Sequence, residues 1–392
     1  MSISTTVHNP STTDHPGSGA MKLKAPRTDL LAELQLVSRA TAVRSAVQTL
    51  AGVLISADGD GVKLAATDTE IGIQSRAEAS VESEGSILVP GRLLVDIVRV
   101  LEGDEVTLER RADRSEVAVT SGSANFVVRG LPVEDFPRLP SLPESGAVKV
   151  PADTFADTIQ RVAKAASRDE TRPVLTGVMV SVGGDGLRMV ATDSYRLSMR
   201  EAPMTSANGD SFEANVPARA LQELGRIATD SGVDEISASA HENQIVFGIG
   251  RVTLSSRMID GQFPNYQQLL PESYEHEVTV ARSEFLAVVR RISLMAQRNA
   301  PLRLRFEKGM VTMSAQTPDV GEASEQLPVN YDGEPMEIGF NPQFLQDGFE
   351  SADGDELALK LISPLRPGLV ESSGGDEEGR FLYLIMPVRL NV

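Results

Sequence analysis

The 392-residue sequence contains no cysteine, no tryptophan and only four histidines. Without cysteine, disulfides, thiolate metal ligands and cysteine nucleophiles are excluded. Aromatic residues make up 4% of the chain, too few for an array of rings that stacks single-stranded bases. No apolar run approaches the roughly 18 residues of a membrane span, and the first residues lack a basic-then-apolar signal sequence. We therefore predict a cytoplasmic protein with no membrane partner.

Positive charge is also scarce. The chain has 37 lysines and arginines against 55 acidic residues, a formal net charge of −18. A protein that coats nucleic acid or an anionic membrane with its whole surface needs the opposite balance. Any contact with a polyanion must therefore be local.

Internal repetition is the strongest positive signal. Ala66-Thr67-Asp68-Thr69 returns 125 positions later as Ala191-Thr192-Asp193-Ser194, and Val89-Pro90-Gly91-Arg92 returns 127 positions later as Val216-Pro217-Ala218-Arg219. A fainter third copy contains Gly339-Phe340-Asn341-Pro342. Because this step is far longer than solenoid periods of about 20 to 50 residues, each repeat is predicted to be a domain with its own core.

Each repeat alternates helical apolar stripes with short strands that Gly-rich turns separate. The pattern predicts an α+β fold in which two helices per repeat pack on an antiparallel sheet. Residues 1–20, rich in Ser, Thr, Pro and Gly, are predicted to be a disordered extension. The predicted domains are 21–147, 148–274 and 275–392, with helices near 27–41, 92–101, 153–166, 218–228, 283–297 and 342–350.

Basic residues recur seven positions apart on the predicted helices, which places them almost above one another. The pairs are Arg92 with Arg99, Arg161 with Arg168, Arg219 with Arg226, and Arg291 with Arg298. A single pair of this kind is typical of an ordinary solvent-exposed helix face. Four pairs in a chain with eighteen surplus acids favour a local positive surface that holds the phosphates of a duplex without reading its bases. Asp96 and Glu223 interrupt this surface.

Three separated motifs, in the right order within a three-repeat chain, carry a resemblance that runs from about Met21 to Leu390. They are Ala191-Thr192-Asp193-Ser194-Tyr195-Arg196-Leu197, Asp260-Gly261-Gln262-Phe263-Pro264-Asn265-Tyr266 and Met386-Pro387-Val388-Arg389-Leu390. The sequence resembles the bacterial sliding clamps, the beta subunits of DNA polymerase III. The resemblance implies that each chain forms half of a closed ring, a head-to-tail homodimer whose helices line a hole for double-stranded DNA of any sequence.

The resemblance also implies a pocket for short peptide motifs of the replicative polymerase, the clamp loader and repair polymerases. Its positions here are Leu175, Thr192, Ser194, Tyr195, Arg196, Leu197, Pro264, Leu269, Asn341, Phe344, Leu365, Pro367, Leu384, Met386, Pro387, Val388 and Arg389. Tyr195, Gln268, Phe344 and Val174 stand where the best-known members carry histidine, arginine, tyrosine and tyrosine, which bears on the preferred peptide.

Two further sets follow from the resemblance. Arg44, Arg92, Arg168, Arg172 and Arg219 are implied to contact DNA. The contact between the two chains is implied to involve the strand 124–130 of one chain and the third repeat of the other, with interface residues Phe126, Val128, Leu294, Glu322 and Glu325.

No catalytic residue, metal or cofactor is predicted. Asp68 and Asp193 each stand at a turn, where aspartate commonly accepts hydrogen bonds from the local backbone. His241 and His276 have no partner at metal-ligand spacing. A repeat-built peptide-binding scaffold that never encircles DNA remains the alternative to a clamp.

Overall fold

The structure is a computed structural model, and it describes residues 20–59, 61–110, 115–143, 145–184, 186–204, 211–297, 300–372 and 379–390. The predicted extension therefore lies, but for Ala20, outside the described residues, as does Arg298. No helix in the described part of the chain is both long and apolar enough to cross a membrane.

The same order of elements occurs three times, except that the first repeat contains one additional strand, β5. The first repeat contains β1 (Met21–Pro26), α1 (Arg27–Val37), β2 (Gly52–Asp58), β3 (Gly61–Thr67), β4 (Ile71–Ala77), β5 (Ser80–Ser83), β6 (Gly85–Pro90), α2 (Gly91–Val100), β7 (Glu105–Arg110), β8 (Glu116–Ser121) and β9 (Ala124–Arg129). The second contains β10 (Val148–Pro151), α3 (Ala152–Val162), β11 (Gly177–Gly183), β12 (Gly186–Thr192), β13 (Arg196–Ala202), β14 (Phe212–Pro217), α4 (Ala218–Ser231), β15 (Glu235–His241), β16 (Gln244–Ile249) and β17 (Val252–Arg257). The third contains β18 (His276–Ala281), α5 (Arg282–Ser293), β19 (Leu302–Glu307), β20 (Met310–Thr317), β21 (Gly321–Pro328), β22 (Met336–Phe340), α6 (Pro342–Ser351), β23 (Glu356–Leu361), β24 (Gly368–Ser372) and β25 (Arg380–Ile385).

The α+β prediction is confirmed, with six helices at the predicted places in the described chain. The predicted helix 27–41 ends earlier, at Val37, and continues only as a 3-10 turn over Ser38–Ala40. The predicted helix 153–166 likewise ends at Val162 before a 3-10 turn. The predicted helix 283–297 ends at Ser293.

The chain divides into two compact units. Unit 1 comprises the residues up to Lys149 together with Ser231–Arg257. It contains a five-stranded sheet of order β5-β1-β7-β8-β9 and an eight-stranded sheet of order β10-β15-β16-β17-β4-β3-β2-β6, in which β10 begins at Val148. The strands β15, β16 and β17 therefore extend the sheet of the first repeat, through the antiparallel pairing of β17 with β4.

Unit 2 comprises Val150–Asp230 and the described residues from Met258 onward. It contains an eight-stranded sheet of order β14-β11-β12-β13-β25-β24-β23-β18 and a four-stranded sheet of order β21-β20-β19-β22. Strands from the second and third repeats join where β13 pairs antiparallel with β25. This junction positions most of the predicted peptide pocket.

Apolar stripes hold the helices against the sheets. In α5, Phe285, Val288, Val289 and Ile292 are buried at helical spacing, as an amphipathic helix requires. The Phe285 ring stacks on Phe349 of α6 with centroids 4.1 Å apart and planes 13° apart. Such a pair contributes about 0.5–1.5 kcal/mol beyond the area it buries, so it helps to hold α5 against α6.

Candidate functional site

The Thr-Asp motif between β12 and β13 forms a turn held by its own side chains. Thr192 Oγ1 donates to the Arg196 carbonyl at 2.7 Å and accepts from the Ser194 amide at 3.2 Å. Asp193 Oδ1 accepts from the amides of Tyr195 at 2.9 Å and Arg196 at 3.0 Å. With these bonds satisfied, Ser194 adopts the left-handed region at φ 78°, and Tyr195 projects from the tip with 62% of its surface exposed.

The earlier copy of the motif, between β3 and β4 in unit 1, makes the same turn. Thr67 Oγ1 donates to the Ile71 carbonyl at 2.8 Å and accepts from the Thr69 amide at 3.0 Å. Asp68 Oδ1 accepts from the amides of Glu70 and Ile71, and Thr69 has φ 79°. The predicted backbone role of Asp68 and Asp193 is therefore confirmed.

Arg196 lies at the centre of the unit 2 site, with only 10% of its side chain exposed. Its guanidinium donates to Asp193 Oδ2 at 3.1 Å and to the Lys164 carbonyl at 2.6 Å, and it forms an ion pair with Asp347 of α6. Burial alone would lower the pKa of Arg196, but its interactions with Tyr383, Asp347 and Asp193 raise it above its usual value. Arg196 therefore stays charged and joins the turn to α6.

A buried apolar cluster lies beneath this turn. Leu197 of β13 pairs in register with Leu384 of β25, and they are 1% and 3% exposed. Phe263 anchors the segment that carries Pro264 and Leu269 to the same cluster. The buried members are Val190, Leu197, Met199, Phe263, Leu369, Leu382 and Leu384.

Large side chains stand exposed around the same elements. The Met386 amide donates to the Tyr195 carbonyl at 2.8 Å, which brings Met386, 42% exposed, beside the Tyr195 turn. Leu269 and Leu365 are 50% and 67% exposed. We call the exposed residues Tyr195 and Met386, together with the buried Leu197 and Leu384 below them, the β13–β25 surface.

The structure separates the predicted pocket residues by burial. Leu175, Thr192, Leu197 and Leu384 are buried, so they support the surface rather than line it. The half-buried residues are Arg196, Asn341, Phe344, Pro367, Pro387 and Val388, and the exposed ones are Ser194, Tyr195, Pro264, Leu269, Leu365, Met386 and Arg389.

Three hydrogen bonds hold the third-repeat members of this set in place. Asn341 caps α6, because its Oδ1 accepts from the amides of Gln343 and Phe344 at 2.9 and 3.2 Å. The Val388 amide donates to the Gly339 carbonyl at 2.8 Å. The cap orients Phe344 so that its ring lies under the Arg196 guanidinium.

An ion network that the sequence did not reveal lies next to this site in unit 2. Arg200, with 8% of its side chain exposed, pairs with Asp157 at 3.0 Å and with Asp353. Arg161 pairs with Asp157 at 2.8 Å and Asp353 at 2.5 Å, and its side chain is 20% exposed. The prediction that Arg161 belongs to an open basic stripe is therefore wrong, since Arg161 pairs with two carboxylates and also donates to the Ser351 carbonyl at the end of α6 at 2.7 Å.

The five arginines expected to contact DNA are exposed. Arg44 and Arg92 belong to unit 1, and Arg168, Arg172 and Arg219 to unit 2. Arg172 donates to Asp169 at 3.1 Å and to the Ser194 hydroxyl at 3.0 Å, which ties it to the turn that carries Tyr195. Asp169 has a pKa below its usual value, chiefly because it accepts hydrogen bonds from Thr171 and then from Arg172.

Other arginines of the predicted basic stripes have carboxylate partners on the same chain. Arg99 pairs with Asp96 at 2.8 Å, Arg226 with Glu223 at 3.4 Å, and Arg291 with Glu325. The predicted interruption by Asp96 and Glu223 thus takes the form of direct ion pairs. Glu325 is a predicted interface residue, and its partner Arg291 lowers its pKa.

The predicted interface residues lie at or near two sheet edges. The strand β9 ends the five-stranded sheet of unit 1, and β21 ends the four-stranded sheet of unit 2. Phe126 and Leu294 are 37% and 72% exposed, and Glu322 is exposed on β21. Val128, in contrast, is 6% exposed and its neighbour Val127 is 61% exposed, so Val127 rather than Val128 is the valine available to a partner.

Within the residues that the structure describes, no group of three or more His, Asp or Glu side chains is arranged to hold a metal ion.

Comparisons with known proteins cover nearly the whole chain. The family profile of the DNA polymerase III beta subunit matches its N-terminal domain at residues 21–140, its central domain at 149–265 and its C-terminal domain at 267–389. The beta sliding clamp of Streptomyces coelicolor is 36% identical over 379 residues, which are 95% of this chain and all of the relative. The beta sliding clamp of Synechococcus elongatus is 36% identical over 378 residues, covering 94% of this chain and all of that one.

Solved structures agree. The sliding clamp of Bacillus subtilis superimposes with a TM-score of 0.89 at 29% identity, and covers 95% of this chain and all of its own. The sliding clamp of Bartonella birtlesii bound to griselimycin has a TM-score of 0.86 at 31% identity, with the same coverage of both chains. On three domain matches in order and relatives above 30% identity, the chain belongs to the family of bacterial DNA polymerase III beta subunits, the beta sliding clamps.

Proposed function

We propose that two copies of this protein close head to tail into a ring around duplex DNA, and that the ring holds the replicative polymerase on its template. The observation that carries the proposal is the pair of sheet edges, β9 in unit 1 and β21 in unit 2. Exposed edges present unpaired backbone groups that a second chain can bind. Two different edges on one chain give a head-to-tail contact, which forms a ring when its rotation closes.

The proposed edge contact includes exposed apolar side chains on both sides. Phe126 and Val127 lie on β9, and Leu294 and Val320 lie near β21. Burial of such side chains is the dominant favourable term in association. Glu322 and Glu325 add negative charge to the β21 edge, and Arg129 adds positive charge at the end of β9.

The proposed contact with DNA is local and weak. Arg44, Arg92, Arg168, Arg172 and Arg219 supply charge to phosphates, while the net charge of the chain is −18. Contacts to phosphates carry no sequence information and weaken as salt rises. Retention on DNA then comes from the closed ring, which permits sliding.

The β13–β25 surface is the proposed site for short peptides of the polymerase, the clamp loader and repair polymerases. Tyr195 and Met386 lie exposed beside each other above a floor of buried leucines. Apolar walls with a few polar edges suit the leucine and aromatic side chains of an anchor peptide. The Bartonella birtlesii relative was solved with griselimycin bound, which supports a ligand site in the family.

We further propose that the protein performs no catalysis, needs no cofactor, and acts in the cytoplasm. The folded part is proposed to comprise domains at 21–147, 148–274 and 275–392. The family matches at 21–140, 149–265 and 267–389 support this division.

The ring is tested by loading the protein onto nicked circular duplex and then cutting the circle. A closed ring stays on the circle through gel filtration and slides off the linear product. Equal retention on both forms would favour the scaffold that never encircles DNA.

The peptide site is tested separately with Tyr195→Ala and Met386→Ala combined, since Leu197 is buried and its substitution would also open a cavity. A fluorescein-labelled peptide ending in leucine and an aromatic residue is titrated by anisotropy. We expect at least a tenfold loss of affinity, about 1.4 kcal/mol, with the dimer intact. Leu93→Ala, which trims another exposed leucine, is the control, and equal affinities would refute the placement.

A further inference from the structure

Glu350 in the last turn of α6 binds two cations from two other elements of unit 2. Arg290 of α5 donates to Glu350 Oε1 at 3.0 Å. Lys164, which follows α3, donates to Glu350 Oε2 at 3.4 Å. Gln346, one turn earlier on α6, donates to Glu350 Oε1 at 2.8 Å. One carboxylate therefore neutralises cations that the fold brings from both the second and the third repeat.

Glu350 is charged at neutral pH. Burial would raise its pKa, but hydrogen bonds from Gln346 and Arg290 and the charge of Lys164 outweigh burial and hold the pKa below its usual value. The side chains of Lys164 and Arg290 remain 38% and 57% exposed, against 27% for Glu350. The two cations are thus reachable from solvent while the carboxylate is sheltered behind them.

This inference rests on the proposed function, in which helices of unit 2 face DNA. We propose that Glu350 weakens the grip of the ring on duplex DNA, because it holds Lys164 and Arg290 in ion pairs that a phosphate must first displace. A phosphate contact gains its affinity by releasing counterions from DNA. A cation that already has a carboxylate partner gives up that partner on binding, so its net gain is smaller.

Weak phosphate contacts suit a closed ring that cannot leave the DNA, since strong phosphate contacts would oppose its sliding. The same arrangement recurs in simpler form where Arg99 pairs with Asp96 and Arg226 with Glu223. Each of those acids holds a single arginine three residues away on its own helix. Glu350 differs from Asp96 and Glu223 because it holds two cations from two elements, so its removal frees more charge than the removal of either of them.

The test compares the full-length dimer with Glu350→Gln on a fluorescein-labelled linear duplex of about 30 base pairs, by anisotropy over a potassium chloride series. We expect the variant to bind about three- to tenfold more tightly at low salt. The slope of log affinity against log salt should steepen by up to about two, since each phosphate neutralised adds about 0.9. Unchanged affinity and slope would overturn the proposal.

Glu337→Gln is the matched control. Glu337 pairs with Arg303 at 3.1 Å on the neighbouring strands β22 and β19, and both side chains are 40% exposed. The Glu337→Gln substitution removes the same charge as Glu350→Gln, but it frees one arginine on a sheet instead of two cations on helices. If Glu337→Gln raises DNA affinity as much as Glu350→Gln, the effect is one of net charge and the proposal fails.

A triple variant, Lys164→Gln, Arg290→Gln and Glu350→Gln, tests whether the gain passes through the two cations. We expect its affinity to return to the wild-type value or below. A gain that persists in the triple variant would overturn the proposal. Should Glu350→Gln unfold, Glu350→Asp keeps the charge but shortens the reach to both cations, and a smaller gain is expected from it; no gain with a folded dimer would count against the role.

Failure of this inference is distinct from failure of the ring. If the wild-type protein stays on nicked circles but Glu350→Gln binds linear duplex like the wild type, only the role of Glu350 is wrong. If the wild-type protein leaves circles as readily as linear DNA, the proposed function itself is wrong.

Discussion

The guanidinium carbon of Arg196 lies 4.3 Å from the centroid of the Phe344 ring. Arg196 ends the turn that carries Tyr195, whereas Phe344 lies in the first turn of α6. The same guanidinium pairs with Asp193 and Asp347. One side chain therefore joins the second-repeat and third-repeat parts of the β13–β25 surface.

Removing the charge of Arg196 should destabilise unit 2. Arg196→Gln leaves Asp193 and Asp347, each with 13% of its side chain exposed, without their cation. Breaking a buried ion pair on one side costs about 3–5 kcal/mol. The measurement is the urea midpoint followed by circular dichroism. Phe344→Leu, which removes the cation–π contact of about 0.5–2 kcal/mol but keeps both ion pairs, is the comparison, and equal midpoints would contradict this account.

The duplicated turn provides its own control for peptide binding. Thr192→Val removes the hydroxyl that bonds the Arg196 carbonyl and the Ser194 amide, so Tyr195 loses its fixed position. We expect peptide affinity to fall about fivefold, or about 1 kcal/mol. Thr67→Val removes the matching bonds in unit 1 and should leave peptide affinity unchanged. Equal losses in both variants would show that the effect is not local.

Thr69 holds a left-handed conformation, with φ 79°, that its branched side chain disfavours. Thr69→Gly removes this strain and should stabilise unit 1 by about 1 kcal/mol, less the extra entropy that glycine gives the unfolded chain. Thr69→Ala retains Cβ and should give no such gain. Thermal unfolding of the two variants decides the matter, and a melting temperature that rises equally in both would argue against backbone strain.

A charge at the proposed edge contact should separate the two chains. Leu294→Glu places a carboxylate on a residue that is 72% exposed in the single chain and buried in the proposed dimer. We expect dimerisation to weaken at least a hundredfold, about 2.7 kcal/mol, as measured by sedimentation equilibrium. Val100→Glu alters a valine that is 68% exposed on α2 and should leave the dimer intact. A dimeric Leu294→Glu protein would exclude Leu294 from the contact.

Local patterns predicted much of the fold. Helices such as α2 and α5 were recognisable because their apolar stripes follow the helical period. The strands β1, β10 and β18 at the start of each repeat were not predicted. They contain only four to six residues, and β1 is stabilised by pairing with β7, about 80 residues away. Such pairing leaves no trace in the local sequence.

The contacts of the candidate site also divide into local ones, which the sequence predicted, and long-range ones, which it did not. The roles of Asp68 and Asp193 could be predicted because the partners lie within three residues. The pairing of Arg200 with Asp353 could not, since 153 residues separate them and the chain offers 55 acidic side chains. The resemblance implied Val128 as an interface residue, but alternation of exposed and buried residues does not hold on β9, where three consecutive residues are exposed and Val128 is buried.

The two Thr-Asp turns show how a hairpin can change its exposed side chain while it keeps the same backbone conformation. The threonine and aspartate satisfy the backbone of each turn, so the side chain at the tip is not needed to hold the turn. That side chain belongs to Glu70 in one copy and to Tyr195 in the other. The repeated turn of the first copy can therefore accept a different side chain at its tip. Transferring the Tyr195 tip to the position of Glu70 would be a direct route to an engineered clamp with twice as many peptide-docking turns.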